Sequence, residues 1–236
     1  MSPADTKKYR LLSAHCDSER KLRLSELFSW FQEAAIRHTE ALGMGREKTL
    51  DRGLLWIVTQ WRADIARLPE YDEEVVLRSW PGRTMHVIFP RFFRLETSDG
   101  EPLVTASSLW ALMDRDTRRA VFPEEAGVHI EGENGPDDPP LPSSPRLCPV
   151  TEHSACVVTP SVLDLNGHMN NTRYFDLAVD MLYPHYGKQT PRRIICEYHS
   201  EARLGDRLDL SLGAEGDICL IQGECGRRVF RMNITY

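Results

Sequence analysis

Apolar positions change their period along the chain, and each change marks an element. KYRLLSAHCD, residues 8–17, has a strand composition, after which Leu24, Leu27, Phe28, Phe31, Ala34, Ala35 and Leu42 recur at helical spacing. Ser25 is placed to cap this helix and Gly43 to stop it. The period then shortens. LLWIVTQWRADIAR, EEVVLRSW, TMHVIFPRFFRLETSDG and EPLVTASSLWALMDRD are runs rich in Val, Ile, Trp and Phe, separated by turn signals such as Asp99-Gly100, and they predict antiparallel strands.

Residues 135–146, GPDDPPLPSSPR, interrupt the pattern, because a run this rich in proline continues neither a helix nor a central strand. The order of elements then repeats. SACVVTPSVLD predicts a strand, and Tyr174, Leu177, Ala178, Met181 and Leu182 form the apolar face of a helix that Pro184 is expected to end. RRIICEYHS, RLDLSLGAEG, DICLIQGE and RRVFRMNITY predict further strands. The expected division is a first domain over 1–130, a Pro-rich linker over 131–148 and a second domain over 149–236. An antiparallel sheet buries one long helix by wrapping around it, which is the hot-dog arrangement, so the pattern predicts an α+β tandem hot-dog. Two unrelated α+β domains are the alternative.

Composition narrows the function classes. The 236 residues are 41% hydrophobic and 27% charged, as in globular proteins. No window approaches the apolar length of a membrane span, and MSPADTKKYRLLSAHC carries charge where a signal peptide needs an apolar core, so a cytoplasmic protein is expected. A net charge of -6 argues against general nucleic-acid binding. Six cysteines without a C-x-x-C pair suggest reduced packing residues, and the histidines lack ligand spacing, so neither a metal nor an organic cofactor is expected. Basic clusters at Arg115, Arg118 and Arg119, at Arg192 and Arg193, and at Arg227, Arg228 and Arg231 are either solvated turns or docking patches for an acidic partner.

The densest chemistry lies in LDLNGHMNNTRY, residues 163–174. Asp164, Asn166 and His168 are expected to alternate along an extended segment, so that their side chains share one face at the mouth of the following helix. Asn170 and Asn171 are natural caps for the helix that follows, whose free N–H groups would stabilise an oxyanion. A plain capping turn with a surface histidine explains the same residues.

The string closely resembles the D-x-N-x-H-x-N-N-x-x-Y signature of the acyl carrier protein (ACP) thioesterases. GLLWIVTQWRADIARLPEYDEEVVLRSWPG and SSLWALMDRDTRRAVFPEE, with Trp56, Trp80, Trp110 and the turn at Asp116 to Arg119, resemble first-domain segments of that family. The resemblance implies hydrolysis of fatty acyl-ACP to free fatty acid, with Asp164, Asn166, His168 and Glu201 catalytic. Asn170 and Asn171 would help bind the substrate. Many plant members carry a cysteine after that glutamate; here Ala202 stands there, which removes any cysteine nucleophile at this position. Water attack assisted by Glu201 or Asp164, with His168 shuttling a proton, and direct carboxylate attack through an anhydride both fit.

The counterpart in the first domain, CDSERKLRLSE, aligns Asp17 with Asp164 but puts Lys21 where His168 stands, so one competent site per chain is expected. The first domain would then hold the acyl chain, with Phe28, Phe31, Ala35, Trp56 and Met113 as candidate wall residues or plain core. His199 is expected on a strand surface. Rival functions are an acyl-coenzyme A thioesterase and a non-catalytic acyl-binding regulator. The expected partner is ACP, and the chain is expected as a monomer or homodimer.

Overall fold

A computed structural model describes residues 4–236; the first three residues of the N-terminal stretch lie outside it. Ten strands form one continuous sheet in the order β1-β3-β4-β5-β2-β7-β10-β9-β8-β6. The first half supplies β1 (Asp5–Arg10), β2 (Leu54–Ile65), β3 (Glu74–Pro81), β4 (Ile88–Thr97) and β5 (Pro102–Asp114). The second supplies β6 (Val150–Val157), β7 (Arg193–Tyr198), β8 (Arg207–Glu215), β9 (Ile218–Glu224) and β10 (Arg228–Thr235). All pairings are antiparallel. The halves join where β2 meets β7, with Gln60 opposite Glu197 and Asp64 opposite Arg193. The two hot-dog units thus share one sheet.

Two long helices, α1 (Leu24–Ala41) and α3 (Arg173–Tyr186), pack against this sheet, and a short turn of helix, α2 (Pro123–Ala126), follows β5. The amphipathic spacing that predicts α1 is the face it buries: Leu27, Phe28, Phe31 and Ala34 are solvent-free. Phe28 of α1 stacks on Phe175 of α3 at 3.8 Å between ring centres, with planes 2° apart. Trp61, Phe93 and Phe230 complete the core around this pair.

Two helix boundaries differ from expectation. Helix α1 begins at Leu24, so Ser25 is buried in its first turn and Arg23 takes the cap position. Helix α3 runs two residues past Pro184. A proline so near the end deletes one bond of the last turn, and the helix closes at Gly187, whose N–H donates to the Tyr183 carbonyl at 2.8 Å.

The Pro-rich segment is a packed strap on the outer face of the sheet. Trp80 Nε1 donates to Asp138 Oδ1 at 2.8 Å, and Ser107 Oγ to the Pro140 carbonyl. The Asn233 side chain accepts from the Arg146 N–H and donates to its carbonyl. At Gly213 on β8 a β-carbon would stand 2.4 Å from the Pro149 carbonyl oxygen, so that strand comes close to the strap only because it has no side chain there. The strap covers the outer face of β4, so that the stretch from Phe89 to Phe93 is buried on both faces, Arg91 included. Edge strands β1 and β6 are mostly exposed and polar, the composition that discourages sheet extension. Among the described residues no helix is long and apolar enough to cross a membrane.

Candidate active site

Asp164, Asn166 and His168 meet through a tight turn and not through strand alternation. Leu163 bridges Met169, the Asp164 N–H donates to the His168 carbonyl at 2.8 Å, and Gly167 takes the left-handed backbone that the turn requires, with φ +75°. The Asp164 carboxylate is used inside this turn: its Oδ1 accepts the N–H of Asn166 at 2.8 Å and of His168 at 3.2 Å. Leu165 and Asn166 are left exposed at the tip. Asn170 caps the next segment, accepting from the Thr172 N–H and hydroxyl, and α3 starts at Arg173. Asn171 is no cap. Its Oδ1 is buried without a partner among the described residues, and its N–H appears in no hydrogen bond there. The buried Tyr198 phenol, whose pKa burial pushes up, donates to the Asn171 carbonyl at 3.0 Å and fixes that peptide.

Glu201 comes from the loop between β7 and β8, and its backbone is pinned to the turn. Met169 N–H donates to the Ala202 carbonyl at 2.8 Å, and His168 bridges Arg203. Glu201 Oε2 lies 3.2 Å from His168 Nε2. Its Oε1 pairs with Arg118, which belongs to the turn after β5 in the first half of the chain. With Nε2 engaged, His168 has Nδ1 left to take or give a proton. The cluster at 115–119 is therefore more than a docking candidate. Arg192 too is engaged, with Asp217 at 3.0 Å.

A cavity of about 250 Å³ lies between α1 and the first-half sheet, and the exposed Leu165 and Asn166 form part of its lining. Its wall is largely apolar and includes Ala35, Ile36, Leu54, Trp56, Phe89 and Trp110. Ala35 and Trp56 thus line it; Phe28, Phe31 and Met113 do not. The helix turns Phe28 and Phe31 toward Phe175 and Trp61, and the small Ala35 and Thr39 one or two turns later leave the space. Arg91 also reaches the wall although it is buried, hydrogen-bonded to Ser79, Thr39 and His38 at 3.0–3.1 Å. Burial pushes its pKa down to about 10. It pairs with Ser108 within β5, whereas Leu54 pairs with Asp114 at the end of β5 that carries the Arg118 turn, so Arg91 and Leu54 line different stretches of the cavity wall. Nothing in the hydrophobic pattern singled this arginine out, although Phe89, Arg91 and Phe93 alternate onto one face of β4.

The first half keeps the architecture of the turn without its chemistry. Asp17 Oδ1 accepts the N–H of Glu19 at 2.8 Å and of Lys21 at 2.9 Å, as Asp164 does for Asn166 and His168. Lys21 Nζ donates to Thr190 Oγ1, and Glu19 pairs with Lys188. On α3, Tyr183 and Tyr186 stand where α1 has Ile36 and Thr39, and Tyr186 stacks on Tyr236. His199 points to the strap side and meets Glu197 at 3.3 Å, away from Glu201. Among the described residues no three metal-ligating side chains converge.

Comparison with known proteins matches this geometry to one family. A family model described as the acyl-ACP thioesterase N-terminal domain matches residues 4–126, and one described as the C-terminal domain matches 151–228. A chloroplastic palmitoyl-acyl carrier protein thioesterase of Arabidopsis thaliana is 26% identical over 181 residues, 70% of this chain and 44% of that protein. Its counterpart in Gossypium hirsutum is 28% identical over the same shares. The chain spans under half the length of these curated relatives. An acyl-ACP thioesterase structure from Bacteroides thetaiotaomicron superposes with a TM-score of 0.83 at 20% identity, covering 98% of this chain and 97% of that one. The 12:0-ACP thioesterase of Umbellularia californica superposes with 0.80 at 19% identity, covering 98% and 93%. At these identities the superpositions establish the double hot-dog fold.

Proposed function

Because the chain belongs to the acyl-ACP thioesterase family, we propose that it hydrolyses the thioester of fatty acyl-ACP to free fatty acid and carrier. One observation carries the reading: an apolar cavity of the first half has Asn166 in its lining, on the turn that also presents His168 to Glu201. The acyl chain lies in the cavity and its thioester at the mouth. Water attacks the carbonyl carbon while His168 takes its proton at Nδ1, the N–H of Asn171 and the Asn166 amide receive the oxyanion, and the C–S bond then breaks as the imidazolium returns the proton to the leaving thiolate. Both Glu201 oxygens are already engaged, which favours an orienting role for this carboxylate over attack or base catalysis. Neither step calls on a metal or organic cofactor. The substrate carrier is the partner in this reading.

Thiol release from acyl-ACP by the purified protein tests this. His168→Ala and Glu201→Ala are each expected to lose most of the rate while remaining folded by circular dichroism; near-native turnover in either removes that residue's role. The same assay with acyl-coenzyme A separates the carriers, since the natural thioester should win in kcat/KM by orders of magnitude. A chain that binds acyl chains but releases no thiol from either carrier would be a regulator.

A further inference from the structure

We infer that Arg118 is a positioning residue of the catalytic centre: it holds one oxygen of Glu201 so that the other stays on His168. The inference rests on the hydrolase reading above and assigns a first-half residue to a site whose other groups all lie in the second half. Glu201 sits in a loop, and its side chain has several rotatable bonds that a single contact to an imidazole would leave free to turn. Two contacts on two oxygens fix the carboxylate plane, and Arg118 supplies the second.

The turn that delivers Arg118 is built for this. Asp114 Oδ1 accepts the Thr117 N–H at 2.7 Å, the Thr117 hydroxyl at 2.8 Å and the Asp116 N–H at 3.2 Å; the bonds from Thr117 hold its carboxyl below the usual range. The Arg118 N–H returns to the Asp114 carbonyl at 2.9 Å, and the Asp114 N–H donates to Arg119 at 2.9 Å. These bonds close the turn with Arg118 at φ +58°, a left-handed conformation that glycine or asparagine would adopt at less cost. Stability does not explain an arginine there. Its side chain is 39% exposed and that of Glu201 27%, so solvent screens the pair and its contribution to folding is small. What the position does provide is a guanidinium aimed across the join between the halves. Its neighbour Arg115 meets the adjacent Asp116 instead, at 3.5 Å.

Two independent readouts test the assignment in the full chain. In protein carrying 15N-labelled histidine, with the His168 signals assigned by their loss in His168→Ala, the ring is expected to show a single Nε2–H tautomer. Arg118→Ala should give mixed tautomers, and Arg118→Lys should largely restore the single one. An unchanged His168 signature in folded Arg118→Ala overturns the inference even if no acyl thioester is turned over. That lack of turnover would overturn the hydrolase reading instead. In the kinetic arm, Arg118→Ala should lower kcat about 10- to 100-fold with KM little changed, on both acyl-ACP and acyl-coenzyme A, the scale of loss expected when a reacting group is misplaced. Adding Arg118→Ala to Glu201→Gln should cost nothing further. A raised KM for acyl-ACP alone, with kcat intact, would make Arg118 a docking residue and reject the positioning role.

Discussion

Asp164 shows how a residue in a catalytic signature can act on its own backbone. One carboxylate oxygen gathers the N–H groups of Asn166 and His168 and so sets where both side chains leave the turn. An asparagine oxygen accepts such bonds about as well as aspartate does. Asp164→Asn is therefore expected to keep kcat within about tenfold of the parent, whereas Asp164→Ala, which leaves two donors without an acceptor, should lose considerably more. Equal, severe loss in both variants of folded protein would mean that the negative charge itself is needed in the reaction. At this scale the sequence drew attention to particular residues and misjudged their geometry. Residue types and spacing pointed to Asp164, Asn166 and His168, and the family resemblance to Glu201, but strand alternation was the wrong account of how the first three meet. Arg118 was visible as part of a basic cluster and of a turn shared with the family, but its contact with Glu201 was not, because a contact spanning 83 positions leaves no local pattern.

Elements were more legible than their partners. The strands emerged because apolar runs and turn residues are local, and α1 because its face repeats every three or four residues. The join of β2 to β7 was not foreseeable, since nothing in either strand names its neighbour. The helix pair depends on one contact more than any other, the stack of Phe28 on Phe175. Phe175 has no solvent exposure, and emptying such a site costs about 3–5 kcal/mol. Phe175→Ala should accordingly lower the denaturation midpoint strongly, with Phe175→Leu intermediate. A loss below about 0.5 kcal/mol, the scale of surface substitutions, would show that the two helices do not depend on this stack.

The whole molecule divides its work by halves while remaining one sheet. The cavity is walled mainly by the first half, and His168 and Glu201, the groups proposed to handle the proton, come from the second, so in this reading neither half has a complete site. With ten strands paired without a break and a strap crossing the join, unfolding is expected as a single cooperative transition. Tryptophan fluorescence reports mainly the first half, which holds all five tryptophans, and far-ultraviolet circular dichroism reports the whole chain. Denaturation followed by both should superimpose; separate midpoints would show two independently stable bodies. The retained turn at Asp17 carries this division into descent. If the chain arose by copying one unit, the imidazole of the first copy was dispensable as soon as the second could do the chemistry, and a lysine now occupies its place. The carboxylate was not so easily shed, since it shapes the entry to a helix in either copy. Ancestry in such a protein is written more durably in the residues that bend the backbone than in those that once met the substrate.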